Sequence, residues 1–169
     1  MKAKILLFLV VAGLSVSAIA QKEMLTKEET VNYLNKKLQE VDGRELKRSG
    51  GTFRYSELSI QIKGDYVELR YTEKFAGGSP CYNTYVFNPA HISKLIPIHD
   101  KIAESAVKGI RIDFLAKTAR SSICVAVLSD ANQVFSPYFS ALPENRLRIE
   151  RALLHLRDLA KAEEEPFGN

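Results

Sequence analysis

Tryptophan is missing altogether from the 169 residues, and cysteine (two) and histidine (three) are scarce. Two cysteines exclude the disulfide-dense scaffolds in which bridges stand in for a core. Three histidines with no Cys/His cluster at ligand spacing leave nothing that reads as a metal centre, and no cofactor motif is present. No block of five like charges occurs, so the patch that would hold nucleic acid is absent despite an excess of bases. After the N-terminus no apolar run approaches the ~20 residues a membrane-crossing helix needs. Repeats, linkers and low-complexity tracts are also lacking, so one domain is expected.

What is present begins with a secretory signal. Lys2 and Lys4 precede an apolar stretch from Ile5 to Val16, which is too short for a bilayer span and suits a signal core. Ala18 and Ala20 are the small residues a signal peptidase accepts, placing Gln21 first in the mature chain. The expected division is therefore 1–20 signal and 21–169 a single globular domain. A cysteine after the cleavage point is lacking, which argues against a lipoprotein. The expected location is the periplasm or the exterior. Loss of the signal lowers Lys+Arg from 24 to 22 against 20 Asp+Glu, an ordinary mixed surface.

In such an oxidising compartment Cys81 and Cys124 suggest one disulfide, worth roughly 4 kcal/mol in the chain-entropy model. The alternative is two buried thiols acting as small hydrophobes.

Periodicity gives the architecture. Thr26 and Glu29 form a capping box ahead of Val31, Leu34, Leu38 and Val41, an apolar stripe ended by Gly43. From Phe53 the period becomes two. Leu58, Ile60 and Ile62 lead through Lys63-Gly64-Asp65 to Val67, Leu69 and Tyr71, a hairpin with one wet face. Phe53 and Tyr55 are out of phase with Leu58, so a bulge is expected near Ser56-Glu57. Further strands are expected at Tyr82–Phe87, Ile92–Ile98 and 110–114. Ile123–Leu128, apolar at both parities, should be a strand covered on both sides. Phe135–Phe139 should be short and broken by Pro137. A long helix starts near Pro143 with Ile149, Ala152, Leu153, Leu156 and Ala160 inward. Glu163, Glu164 and Glu165 oppose its dipole, and Pro166 ends it.

The expected fold class is α+β: an N-terminal helix, six or seven mostly antiparallel strands in a bent sheet or small barrel, and a long C-terminal helix packed on it. In element order this resembles the pleckstrin-homology-like architecture, which implies binding more often than catalysis. The segments Phe87-Asn88-Pro89-Ala90-His91-Ile92 and Ala152-Leu153-Leu154-His155-Leu156-Arg157-Asp158-Leu159 resemble small exported Bacteroidetes-type proteins of unassigned function. That resemblance implies bacterial export and supplies no catalytic residues.

Candidate chemistry is sparse. His91 and His99, with Asp100 beside them, would stand ~26 Å apart along a strand or ~12 Å along a helix, whereas zinc ligands lie ~2 Å from the metal. His155 borders the last helix's stripe, where a packed histidine is the default. Cys124 reads as core and not as an exposed thiolate. Ser121 and Ser122 lack the glycine-flanked elbow of a nucleophilic serine, and the Gly50-Gly51 and Gly77-Gly78 loops lack a phosphate loop's context. Tyr82, Tyr85, Phe87, Phe135, Tyr138 and Phe139 either fill the sheet or form a patch for a peptide, glycan or lipid tail. The expected function is a non-catalytic envelope binding or interaction module with a protein, peptide or glycan partner. A secreted hydrolase whose site assembles only in three dimensions is the alternative.

Overall fold

The computed structural model describes residues 24–48, 50–98, 105–124, 127–142 and 144–165. The signal, with Ala18, Ala20 and Gln21, lies outside the described residues, as do His99, Asp100, Pro143 and Pro166.

Helix α1 (Lys27–Gln39) opens on Thr26, whose hydroxyl accepts from the Glu29 amide while the Glu29 carboxylate accepts from the Thr26 amide. Nine antiparallel strands follow: β1 (Glu45–Arg48), β2 (Gly51–Lys63), β3 (Tyr66–Phe75), β4 (Pro80–Phe87), β5 (Ile92–Ile98), β6 (Val107–Phe114), β7 (Ala119–Ile123), β8 (Ser129–Ala131) and β9 (Gln133–Phe139). Helix α2 (Asn145–Glu164) closes the described chain. The fold is α+β, in two sheets of order β1-β2-β3-β4-β7-β8 and β5-β6-β9.

Three expectations need correction. Among the described residues the sheet does not close into a small barrel: nine strands, not six or seven, divide between two sheets. The apolar run Ile123–Leu128 is not a doubly covered strand. β7 ends at Ile123, and Ile123 and Val127 are 54% and 73% exposed. Pro137 does not break β9, because β9 is an edge strand, and one side of an edge backbone has no ladder to interrupt.

The register shifts between Ser56 and Ser59, with Glu57 in the left-handed region at φ 57°. This bulge brings Tyr55 and Leu58 to the same buried side. Beyond Arg54, β1 no longer pairs with β2. There Asn35 of α1 takes over, donating to Ile60 O and accepting from Ile60 N, both at 2.7 Å. A side-chain amide thus satisfies a strand edge that would otherwise be bare.

The core lies between the helices and the inner sheet faces. Val31, Leu34 and Leu38 of α1 and Ile149, Leu153, Leu156 and Ala160 of α2 are buried against Ile60, Leu69, Phe87 and Ile112. Tyrosines at alternate positions form a ladder: Tyr55 to Tyr71 at 5.6 Å and Tyr71 to Tyr85 at 5.9 Å between ring centroids. Phe135 of the second sheet meets Tyr71 edge-on at 6.4 Å. It can approach because Gly109 has no side chain; a Cβ there would sit 1.9 Å from the Phe135 ring.

The helix pair is tied at both ends. Asn145 is fully buried, donating to Glu40 and the Phe139 carbonyl and accepting from Lys37. At the other end Glu163 pairs with Lys27 at 2.6 Å, and Glu164 accepts from Asn88 at 2.6 Å. Two of the three acids that oppose the helix dipole, Glu163 and Glu164, are therefore held by partners outside α2.

Candidate functional site

On a strand successive side chains point to opposite faces, so the residues between the core positions share the outer face of the large sheet. The register sets them in rungs. One runs Gln61, Glu68, Val86, Arg120, Asp130; the next Ser59, Arg70, Thr84, Ser122; the third Ser56, Thr72, Tyr82. The bulge adds Glu57, whose carboxylate accepts from the Thr72 hydroxyl at 2.7 Å.

Over one end of this face stands the segment after β7. Cys124 is bonded to Cys81 and donates its amide to the Tyr82 carbonyl at 3.1 Å. The pairing settles the choice between a bridge and two buried thiols. It also moves Cys124 from core to surface: the residue is exposed and lies at φ 57°, a bend after the strand. As a disulfide it carries no thiolate. The tether leaves a concavity of about 420 Å³, floored by Glu68, Arg70, Thr84 and Ser122 and walled by Tyr82, Cys124 and Leu128.

Glu68 is the unusual group in it. Its side chain is only 12% exposed; Oε2 accepts from the Arg70 guanidinium at 2.9 Å. Oε1 is buried with no hydrogen-bond partner among the described residues. A buried acceptor left open costs on the order of 1–3 kcal/mol, more when charged. Tyr82, by contrast, is 62% exposed beside it. The arrangement therefore combines hydroxyl groups and a flat aromatic wall with a carboxylate whose donor-less oxygen is shielded from solvent, Arg70 balancing the charge.

The other aromatics considered from sequence serve the core. Tyr85, Phe87 and Tyr138 are buried, and Phe135 and Phe139 pack against them from partly buried positions. Burial pushes the Tyr71 hydroxyl well above its ordinary pKa, with the charge of Tyr85 and its hydrogen bond at 3.1 Å acting the same way. Burial also raises that of Tyr138, against the opposing pull of Arg146. Neither tyrosine lines the concavity.

The two described histidines, His91 and His155, do not line this site. His91 sits in a 3-10 turn, Pro89–His91, and His155 Nε2 lies 2.7 Å from the Leu25 carbonyl on α2's outer side. Among the described residues no group of three or more His, Cys, Asp or Glu could hold a metal ion. Ser121 and Ser122 are mid-strand residues of β7.

Sequence reasoning did not single out Glu68, Arg70 or Thr84. The only local signal is an acid and a base two apart on the wet side of β3. Its meaning depends on β4 lying between β3 and β7, which joins positions 70 and 122 in one rung.

No family model, no curated protein and no solved structure matches the chain.

Proposed function

We propose that the protein is a small exported binding module of the bacterial envelope or medium, and that the outer face of its six-stranded sheet takes a short neutral glycan. One observation carries this reading: Glu68 keeps a buried carboxylate oxygen without a donor, in a concavity beside an exposed tyrosine. A turn of the Glu68 carboxylate into the concavity brings its shielded oxygen to a sugar hydroxyl that supplies the missing donor, and the C–H face of a sugar ring packs on Tyr82. The Glu68–Arg70 pair leaves no net charge to attract an ion. The disulfide fits an oxidising compartment, and among the described residues no helix is long and apolar enough to cross a membrane. Export itself rests on the N-terminal pattern around Ala18 and Ala20.

The test is an array of neutral oligosaccharides, followed by calorimetry on the best binder. Tyr82→Ala and Glu68→Gln should each weaken binding about tenfold or more, the scale of one lost ring contact or charge-assisted hydrogen bond. An array without binders, or a binder indifferent to both variants, overturns the reading.

A further inference from the structure

The opposite side of the molecule carries a second, chemically different concavity. A trough of about 510 Å³ runs between α1, α2 and the segment leading into α1. Its apolar part is Met24, Leu25 and Ala152; Met24 and Leu25 are 72% and 46% exposed. The hydrogen-bond distance between His155 and the Leu25 carbonyl holds that segment against α2.

The polar part includes two arginines. Arg148, Arg151 and His155 recur at i, i+3 and i+7, which places them on one side of α2. Arg148 is shared with Glu144 at 3.5 Å, both about half exposed. Arg151 has no acid or other acceptor among the described residues, and neither does the Tyr33 hydroxyl facing the same trough. An apolar channel with an unneutralised guanidinium and a phenol at its rim calls for a ligand with a tail and one negative head.

We infer that this trough binds a single-chain anionic amphiphile of the fatty-carboxylate class. The acyl chain lies along Met24, Leu25 and Ala152, and the carboxylate is held by Arg151 with the Tyr33 hydroxyl donating. The volume falls within the ~300–1,000 Å³ of small-molecule sites. A single chain fits that size class, and a charged head answers the arginine.

The experiment displaces a fluorescent fatty acid from the delipidated mature protein with palmitate, palmitate methyl ester and acetate. Palmitate should compete at micromolar concentration, the ester about tenfold less well, and acetate not at all. Arg151→Ala should reduce palmitate to the level of the ester without changing the ester or the thermal midpoint, because Arg151 is exposed. Ala152→Trp, which fills the channel, should remove both. Equal competition by palmitate and acetate overturns the proposal, as does indifference to Arg151→Ala. A sedimentation profile showing that two copies cover this face, or binding that appears only after the residues before Met24 are removed, would equally assign the trough to another occupant.

Discussion

The two faces of the large sheet are made by the same strands, yet they follow different rules. Inward, β3 and β4 present Val67, Leu69, Tyr71, Tyr85 and Phe87, all 4% exposed or less. Every ring there has a neighbour, and the Tyr71 and Tyr85 hydroxyls meet each other at 3.1 Å. Outward, the alternate residues Glu68, Arg70, Thr72, Thr84 and Tyr82 include a carboxylate oxygen with no donor among the described residues and a ring that is 62% exposed. The inner face is complete as it stands. The outer face leaves one buried acceptor without a donor among the described residues, and the proposed glycan reading rests on that difference.

This contrast can be broken by substitution. The largest effect is expected inside: Phe87→Ala removes a fully buried ring that packs on Phe114 at 5.2 Å, and should cost about 3–5 kcal/mol in urea denaturation. Glycan affinity of the remaining folded fraction should not change.

Next comes the bridge, which belongs to both faces. Cys81 and Cys124 close a loop with sequence separation 43, so Cys81→Ser with Cys124→Ser should cost roughly 4 kcal/mol in the chain-entropy model. Because Cys124 also walls the concavity, this double variant should lose glycan affinity even at temperatures where it stays folded. Calorimetry below the unfolding transition separates the two effects.

A smaller effect concerns the inner tyrosine ladder at high pH. The folded pKa of Tyr71 is raised, by burial first and then by Tyr85, above the ordinary value of about 10. The stabilising contribution is therefore complete below about pH 10. It is lost as pH rises further, since the unfolded chain gives up the proton first. Denaturation midpoints should fall above that pH, and Tyr71→Phe should flatten the fall at a neutral-pH cost of about 1 kcal/mol. An unchanged alkaline slope in the variant would remove Tyr71 as its source.

Legibility in the sequence follows the range of the interactions involved. The α2 stripe could be read because Ile149, Leu153, Leu156 and Ala160 recur along one helix and are buried together. The bulge at Ser56-Glu57 showed as a phase slip between Tyr55 and Leu58, and Lys63-Gly64-Asp65 turns between β2 and β3 with Gly64 at φ 63°. Hydrophobicity is no guide to burial after β7, where Cys124 is bonded to Cys81 and Ile123 and Val127 are exposed. Two sheets instead of a barrel, and the pairing of β4 with β7, depend on contacts far apart in sequence. The candidate site was invisible for the same reason: Glu68 and Arg70 look like ordinary wet-face residues until Ser122 and the Cys124 tether come across from β7.

On the proposed glycan reading, Glu68 serves a ligand and not the fold. Glu68→Met keeps the side chain's length while removing the buried oxygen that lacks a donor, together with a pair to a half-exposed arginine that contributes little. Measured side by side in urea denaturation and glycan calorimetry, this variant should be as stable as the parent or about 1–2 kcal/mol more so, with binding abolished. A variant destabilised by more than about 2 kcal/mol, or one that still binds with parental affinity, would contradict the account.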